Sequence, residues 1–514
     1  MNTLLITLFL PLIGFFFLLF TPRDSKAPFG VALLTTLVTF LFSLGLIGPA
    51  ITNGAVFSSA YDALWVDSAP LQIHFHLGVD GINVWLVLLT ALLLPIAVWI
   101  SDGLVSERRK SFFALLLLFE FGLIGVFTSL DLFVFYVFWE VALVPMYLLV
   151  GGWGARQSGR VAVKFFVYTF LGSAFMLVSI LYLHTQAGSF DYIEIMNRLN
   201  AGQFTLSPIQ QLFLFLGFFA AFAVKVPIFP FHTWLPDTYT EAPAPATFLL
   251  AAIMSKMGAY GLLRYSLTLT SAGAHRCAGW IVVLAIIGII YGALIALIQP
   301  NIKRLIAYSS VSHLGFIVLG IFSFTHQGAD GAVYQMIAHG ISTGALFVLA
   351  GYLEQRRGSL EIADFGGIST PAPGLATAFM ITLLASIGLP VLCNFIGEFL
   401  VLQGAALAHF PWAVWAAIGV ILSAAYMLWM YQRTFLGKTN DRTVSFPDLT
   451  TRDWAPLVPL ILLMVWLGSY TESFMPPITS ATSRVLDQTN MNNQYRVELA
   501  RPETGQAAEL VHAH

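Results

Sequence analysis

Charge is what this chain most lacks. Asp, Glu, Lys and Arg together make up 10% of its 514 residues, where a soluble protein carries about 25%. A surface so poor in charge does not belong in water, and with 58% hydrophobic residues the chain reads as a polytopic membrane protein. Cysteine is nearly absent. Cys277 and Cys393 are the only two, too few for the four thiolates that hold an iron–sulfur cluster. There is no P-loop, and no glycine-rich dinucleotide fingerprint followed by a soluble βαβ pattern, so the chain is expected to bind no cofactor. His74 and His76 alternate in a loop, but further ligands for a metal are missing. The net charge of −2 argues against nucleic acid as a partner. The apolar start, MNTLLITLFLPLIGFFFLLF, has neither a basic head nor an A-x-A-like cleavage site and reads as a first span, not a signal peptide.

What is present is a succession of apolar stretches. A span needs about 20 apolar residues, and about fourteen stretches qualify: 2–20, 29–49, 77–100, 111–129, 131–150, 162–185, 208–228, 243–263, 278–298, 303–324, 332–353, 372–400, 410–432 and 455–472. The expected fold class is all-α. Alternate connections carry the basic residues: Arg23 and Lys26; Arg108, Arg109 and Lys110; Arg156, Arg160 and Lys164; Lys303 and Arg304; Arg356 and Arg357; Arg433, Lys438, Arg442 and Arg452. Lys and Arg stay cytoplasmic, so both termini are expected on the outer side. The connection 229–242 falls on the basic side without a Lys or Arg of its own, which fits only if it is drawn into the protein.

Two spans look broken, 208–228 at Pro227 and 372–400 at Gly388-Leu389-Pro390. Each is the fourth of five consecutive spans. A five-span unit that repeats directly is inverted the second time, and inverted repeats with interrupted helices are the usual architecture of ion carriers. The organisation expected is 1–110 for the first three spans, 111–264 and 278–432 for two inverted repeats, 455–472 for the last span, and 473–514 for a polar tail.

Seven ionisable residues fall inside spans: Glu120, Glu140, Lys225, Lys256, His313, His339 and Glu398. A charge at the bilayer centre costs roughly 2.5–3.5 kcal/mol on insertion scales, which makes each a functional candidate. Bland readings compete with this. Glu140 could cap a kink at Pro145, Lys225 could snorkel, and a buried histidine is often only a satisfied core residue. Yet the span of Lys225 continues and bends beyond it, Lys256 sits near the middle of its span, and Glu398 follows Pro390 and Asn394. Proline frees a carbonyl that lipid cannot satisfy, so Pro227 and Pro390 read as hinges beside a hydrated interior. Burial penalises the charged form of lysine and of glutamate, while an opposite charge nearby restores it. The distance between Glu140 and Lys225 can therefore decide whether the lysine keeps its proton. Glu120, His313 and His339 would support the path, since histidine relays in either direction.

The segments HLGVDGINVWLVLLTALLLPI (76–96), FWEVALVPMYLLVGGWG (138–154), VPIFPFHTWLPDTYTEAPAP (226–245), SKMGAYGLLR (255–264), NIKRLIAYSSVSHLGFIVLG (301–320) and GLPVLCNFIGEFL (388–400) together resemble the antiporter-like membrane subunits of respiratory complex I, in particular the subunit M (chain 4) family. The resemblance implies a fourteen-helix fold with two inverted five-helix repeats. It implies Glu140 and Lys225 as an input-side pair, Lys256 as the connecting lysine and Glu398 on the output half. The related L and N subunits usually carry lysine where this chain has Glu398, and Ser255 stands where the family often has leucine. The function implied is a proton-translocating subunit of NADH:quinone oxidoreductase in a bacterial inner membrane. Flavin, iron–sulfur clusters and quinone would lie in partner subunits, and L- and N-type neighbours and lipid would surround the chain. The rivals are a subunit of an Mrp-like cation/proton antiporter, a membrane subunit of a ferredoxin- or formate-linked complex, and a structural spacer.

Overall fold

The computed structural model describes residues 2–22, 25–52, 56–68, 71–439 and 443–491. Hydrocarbon offers no water to bond, so each segment must close its own backbone hydrogen bonds there, and the apolar stretches do so as helices. In chain order these are α1 (Thr3–Leu19), α2 (Ala27–Leu44), α3 (Asn83–Leu104), α4 (Arg109–Thr128), α5 (Leu132–Trp153), α6 (Ser158–Ala187) and α7 (Pro208–Lys225). Then come α8 (Ala244–Leu269), α9 (Ser271–Leu297), α10 (Ile302–Phe322), α11 (His326–Arg357), α12 (Pro373–Ser386), α13 (Cys393–Ala408), α14 (Phe410–Phe435), α15 (Thr451–Ser469) and α16 (Met475–Met491). Eleven helices among the described residues are long and apolar enough to cross a membrane. α1, the pair α12–α13, and α15 stand at the other three expected positions.

Helix starts follow local chemistry. Asp131 accepts from the Phe133 and Val134 amides at the head of α5, and Asn301 accepts from Arg304 at α10. Ser207–Gln210 and Thr450–Asp453 form capping boxes on α7 and α15. Each gives a first-turn amide the partner it lacks. A helix that is apolar all round is buried or faces lipid, and both kinds occur. α8, α10 and α11 form the buried centre, while α2, α6, α9 and α14 turn an apolar face outward.

The two ends of the bundle differ. One gathers the basic connections. Lys164 and Arg304 both pair with Asp237, at 2.8 and 3.1 Å. Lys303 pairs with Glu354 at 3.1 Å and Arg356 with Asp453 at 2.7 Å, and Arg109 and Arg452 share Asp102. Asp237 accounts for the connection 229–242. Its carboxylate draws in two neighbouring cations, and much of the connection, including His232 and Trp234, is buried. The opposite end carries β1 (Ser58–Tyr61) paired with β4 (Leu77–Val79), and β2 (Leu64–Ser68) paired with β3 (Leu71–His74), both antiparallel.

The fold is the expected helical membrane bundle, with these two small sheets added at one end. Several expectations are corrected here. The span expected from residue 77 starts at Asn83, because Asp80 takes the Ile82 and Asn83 amides at 3.0 and 3.1 Å and begins the helix only there. The span expected to reach 228 stops at Lys225. Residues 475–491 of the expected polar tail form the packed helix α16. Thr479 donates to Asp330 at 2.7 Å, and Tyr192 donates to Gln488 at 3.2 Å. A Cβ at Gly81 would meet the Pro477 carbonyl oxygen at 1.8 Å. Residues 492–514, and Arg23 and Arg442, lie outside the described residues.

His76 ties the sheet to the segment after α6 through Asp191. Burial opposes the charged imidazole, but the Asp191 carboxylate bonded to it, with Asp62 and Asp131 nearby, outweighs burial and holds its pKa above the usual value. A raised folded-state pKa gives stabilisation that is complete below the unfolded value and fades as pH rises through the raised one. In thermal unfolding, His76→Gln is therefore expected to cost more stability at about pH 5.5 than at about pH 9. A cost independent of pH would show that the proton plays no part in the tie.

Candidate functional site

α7 ends at Lys225; the Val226 amide still bonds to Phe222 O, and Pro227 beyond it has no amide to give. The carbonyls this frees are taken up locally. Ile228 N bonds to Ala223 O at 2.7 Å, and the Trp234 indole donates to Val224 O at 2.8 Å. Lys225 is buried at this turn, and its Nζ has no hydrogen-bond partner among the described residues. It lies instead 5.3 Å from the ring centre of Trp139 and 5.7 Å from that of Phe165. Aromatic faces are a weak but real substitute for water around a cation. Glu140, nine residues into α5, is half-buried and accepts from the Ser173 hydroxyl of α6. No ion pair or hydrogen bond joins Glu140 to Lys225 among the described residues.

α8 crosses the end of α7 closely. A Cβ at Gly258 would meet Phe222 O at 2.8 Å and Val226 N at 3.0 Å. Two residues earlier stands Lys256, on a short α-turn between π-helical stretches Leu250–Met254 and Leu262–Ser266. Such π-turns interrupt the ladder of i→i+4 bonds and recur at functional sites. Here the first one presents carbonyls to side chains. Tyr239 donates to Leu250 O at 3.1 Å, and Lys256 Nζ donates to Ala251 O at 2.6 Å. Ser255 also turns its hydroxyl to Ala251 O, at 3.4 Å, so the serine borders the lysine's own anchor.

From Lys256 a buried series runs into the second half of the chain. Lys256 Nζ is 2.8 Å from His339 Nδ1 on α11. The His339 and His313 rings lie 5.7 Å apart, centre to centre. His313 Nδ1, on α10, is 2.8 Å from Glu398 Oε1 on α13, which also accepts from Gln335 at 3.2 Å. Each close contact holds one proton between two groups able to carry it. The outward Nε2 atoms of both histidines and the Gln335 oxygen have no protein partner among the described residues, which leaves polar positions for water along the series. The two histidines, expected only to support the path, stand between Lys256 and Glu398.

The other expected positions differ. Glu120 is buried in α4, and neither carboxylate oxygen has a hydrogen-bond partner among the described residues. Pro390 lies in the break between α12 and α13, but that break is at the surface, with Leu389 and Val391 exposed. Its polar groups need no hydrated interior. Leu389 N bonds to Leu384 O, Ser469 donates to Val391 O, and the buried Asn394 donates to Ser386 O. Gly388, at φ +76°, borders Glu398, where a Cβ would stand 2.8 Å from Oε2. Three participants escaped the sequence reading: Ser173, Gln335, and the buried ion pair of Asp80 with Arg264. Gln335 carried a signal, four residues before His339 on the same helical face.

A profile of the family described as NADH:quinone oxidoreductase/Mrp antiporter, TM, matches residues 129–423. The NADH-quinone oxidoreductase subunit M of Rickettsia bellii is 40% identical over 480 residues, covering 91% of this chain and 95% of that one. In the structure of respiratory complex I from Thermus thermophilus with bound NADH, one chain superposes with a TM-score of 0.84 at 32% identity, over 94% of this chain and 99% of that chain. A chain of the Mrp complex from Dietzia sp. reaches the same TM-score at 19% identity, over 96% and 99%, a likeness of fold alone.

The close crossing at Gly258 can be tested by packing. Gly258→Val overfills it and is expected to cost about 1–3 kcal/mol of stability. Gly279→Val on α9, where a Cβ meets nothing within 4 Å, should be silent. Equal unfolding temperatures for the two variants in detergent would contradict the crossing.

Proposed function

The chain belongs to the NADH-quinone oxidoreductase subunit M family, and from that membership we propose that its buried series of titratable side chains moves protons across the membrane for the assembled enzyme. The chain is an antiporter-like membrane subunit of this oxidoreductase. We assign the redox chemistry, with its flavin, iron–sulfur clusters and quinone, to partner subunits, and place L- and N-type subunits as its membrane neighbours. The observation that carries the proposal is the run of contacts from Lys256 through His339 and His313 to Glu398.

In this reading Glu140 and Lys225 form the input. When the carboxylate closes on Lys225, the ammonium is stabilised and loads a proton; when it is held away by Ser173, the lysine releases it. A proton so released passes to Lys256, where α8 crosses α7. From Lys256 Nζ it moves to His339, and the two-nitrogen imidazole takes it on one atom and gives it up from the other. His313 delivers it to Glu398. Coupled groups of this kind exchange protons as a unit, not as independent sites. The two halves of the series lie on what we read as two inverted repeats, 111–264 and 278–432. One clasp supports that reading because it occurs twice. Leu132 and Tyr192 amides bond across to Phe190 and Leu130 carbonyls at one end of the bundle, and Ile302 and Ile362 amides to Leu360 and Pro300 carbonyls at the other. With the basic end cytoplasmic, both termini would face the outer side of a bacterial inner membrane.

A free-standing cation/proton antiporter remains the second reading only on the ground of shared fold, and the higher identity to complex I subunits favours the first. Lys225→Ala or Glu140→Ala is expected nearly to abolish NADH-driven proton pumping in vesicles while the complex still assembles on native gels. Wild-type pumping in either variant would overturn the assignment. Glu398→Gln keeps the shape and removes the charge, and it should impair flux more than assembly. Loss of the assembled complex without a specific flux defect would make Glu398 a structural residue.

A further inference from the structure

Away from the titratable series, a cavity of about 720 Å³ opens at the basic end of the bundle. Four helix ends meet there: the last turns of α1 and α5 and the first turns of α4 and α6. Arg108 and Lys110 line it, and no Asp or Glu is among the lining residues. Lys110 Nζ donates to the Leu19 and Thr21 carbonyls, both at 2.7 Å, which fixes the ammonium in place without neutralising it. The Arg108 guanidinium lies over the Trp153 ring, 4.5 Å from its centre, and bonds to the Gly152 carbonyl. Two positioned cations thus share one cavity with no carboxylate among its described lining residues, and α4 begins without a side-chain cap. The uncapped start of α4 adds to the positive field.

The remaining wall is of another kind. Leu19 and Leu148 line the cavity and are exposed on the outward apolar flank of the bundle, and Trp153 stands at its rim, where aromatic side chains mark the headgroup level of a bilayer. We infer that this cavity binds an anionic phospholipid, with its phosphate on Arg108 and Lys110 and its acyl chains laid along Leu19 and Leu148. Free phosphate would leave the apolar wall uncovered. A choline headgroup would bring a third positive charge to the two that line the cavity.

Native mass spectrometry of the purified complex tests this. The complex is stripped of lipid in mild detergent and then offered short-chain phosphatidylglycerol, phosphatidylcholine or inorganic phosphate. Phosphatidylglycerol should remain on this chain, and neither phosphatidylcholine nor inorganic phosphate at equal concentration should displace it. Arg108→Gln together with Lys110→Gln removes the charge-assisted contacts and is expected to weaken retention about tenfold or more. Gly159→Leu keeps both cations and fills the cavity from a position where a Cβ meets nothing within 4 Å; it should block retention as well, and it decides the matter if the double variant does not assemble. Undiminished retention in Gly159→Leu, equal binding of phosphatidylcholine, displacement by inorganic phosphate, or no lipid on the wild-type chain because a neighbouring subunit fills the cavity would each overturn the inference.

Discussion

A side chain that carries a proton far from water has to be answered by another polar group or by a polarisable surface, and this requirement arranges the middle of the protein. It is met in different ways. Lys256 receives a backbone carbonyl released by a π-turn and an imidazole nitrogen from a neighbouring helix. Lys225 receives the faces of two aromatic rings and, among the described residues, no hydrogen-bonding oxygen. The first lysine is held in a network, and the second is poised beside one. Glu398 takes an imidazole and an amide together. These solutions account for the burial of α8, α10 and α11, since the groups that answer one another must come from helices packed on every side.

Much of this was legible in the sequence. A lysine among Ala, Ile, Met and Gly is visible without coordinates, because the alternatives for it in lipid are few, and the same holds for Glu140 among aromatics. The positions of spans followed from length and hydropathy. What was hidden had no sequence pattern of its own. The π-turns around Lys256 lie in an ordinary apolar run, in a helix that approaches α7 at Gly258 and holds Asp80 through Arg264. The histidines were candidates in the sequence, but no pattern there shows that α10 and α11, consecutive in the chain, bring the two rings 5.7 Å apart. The short strands replaced the start of an expected span because Leu77–Val79 is apolar enough for either state, and the Asp80 cap decided between them.

The two chain breaks, alike in sequence, do different work. At Pro227 the chain turns inward and its loose carbonyls are covered by Trp234 and Ile228. At Pro390 it comes to the surface, and the buried side chain of Asn394 seals the exposed end of α12 from within. Proline marks where a helix must stop, but which way the chain then goes is set by the polar side chains nearby.

α16 draws the opposite end of the bundle together. It touches Gly81 and Tyr192 from the first half of the chain and Asp330 from the second, and it follows all of them in sequence. During synthesis, then, the far face stays open until both halves have been threaded into the bilayer, and its closure comes only when the ribosome has passed every element it secures. A chain whose halves were inserted in the wrong register would present α16 with no seat, so the strap doubles as a check on completed insertion.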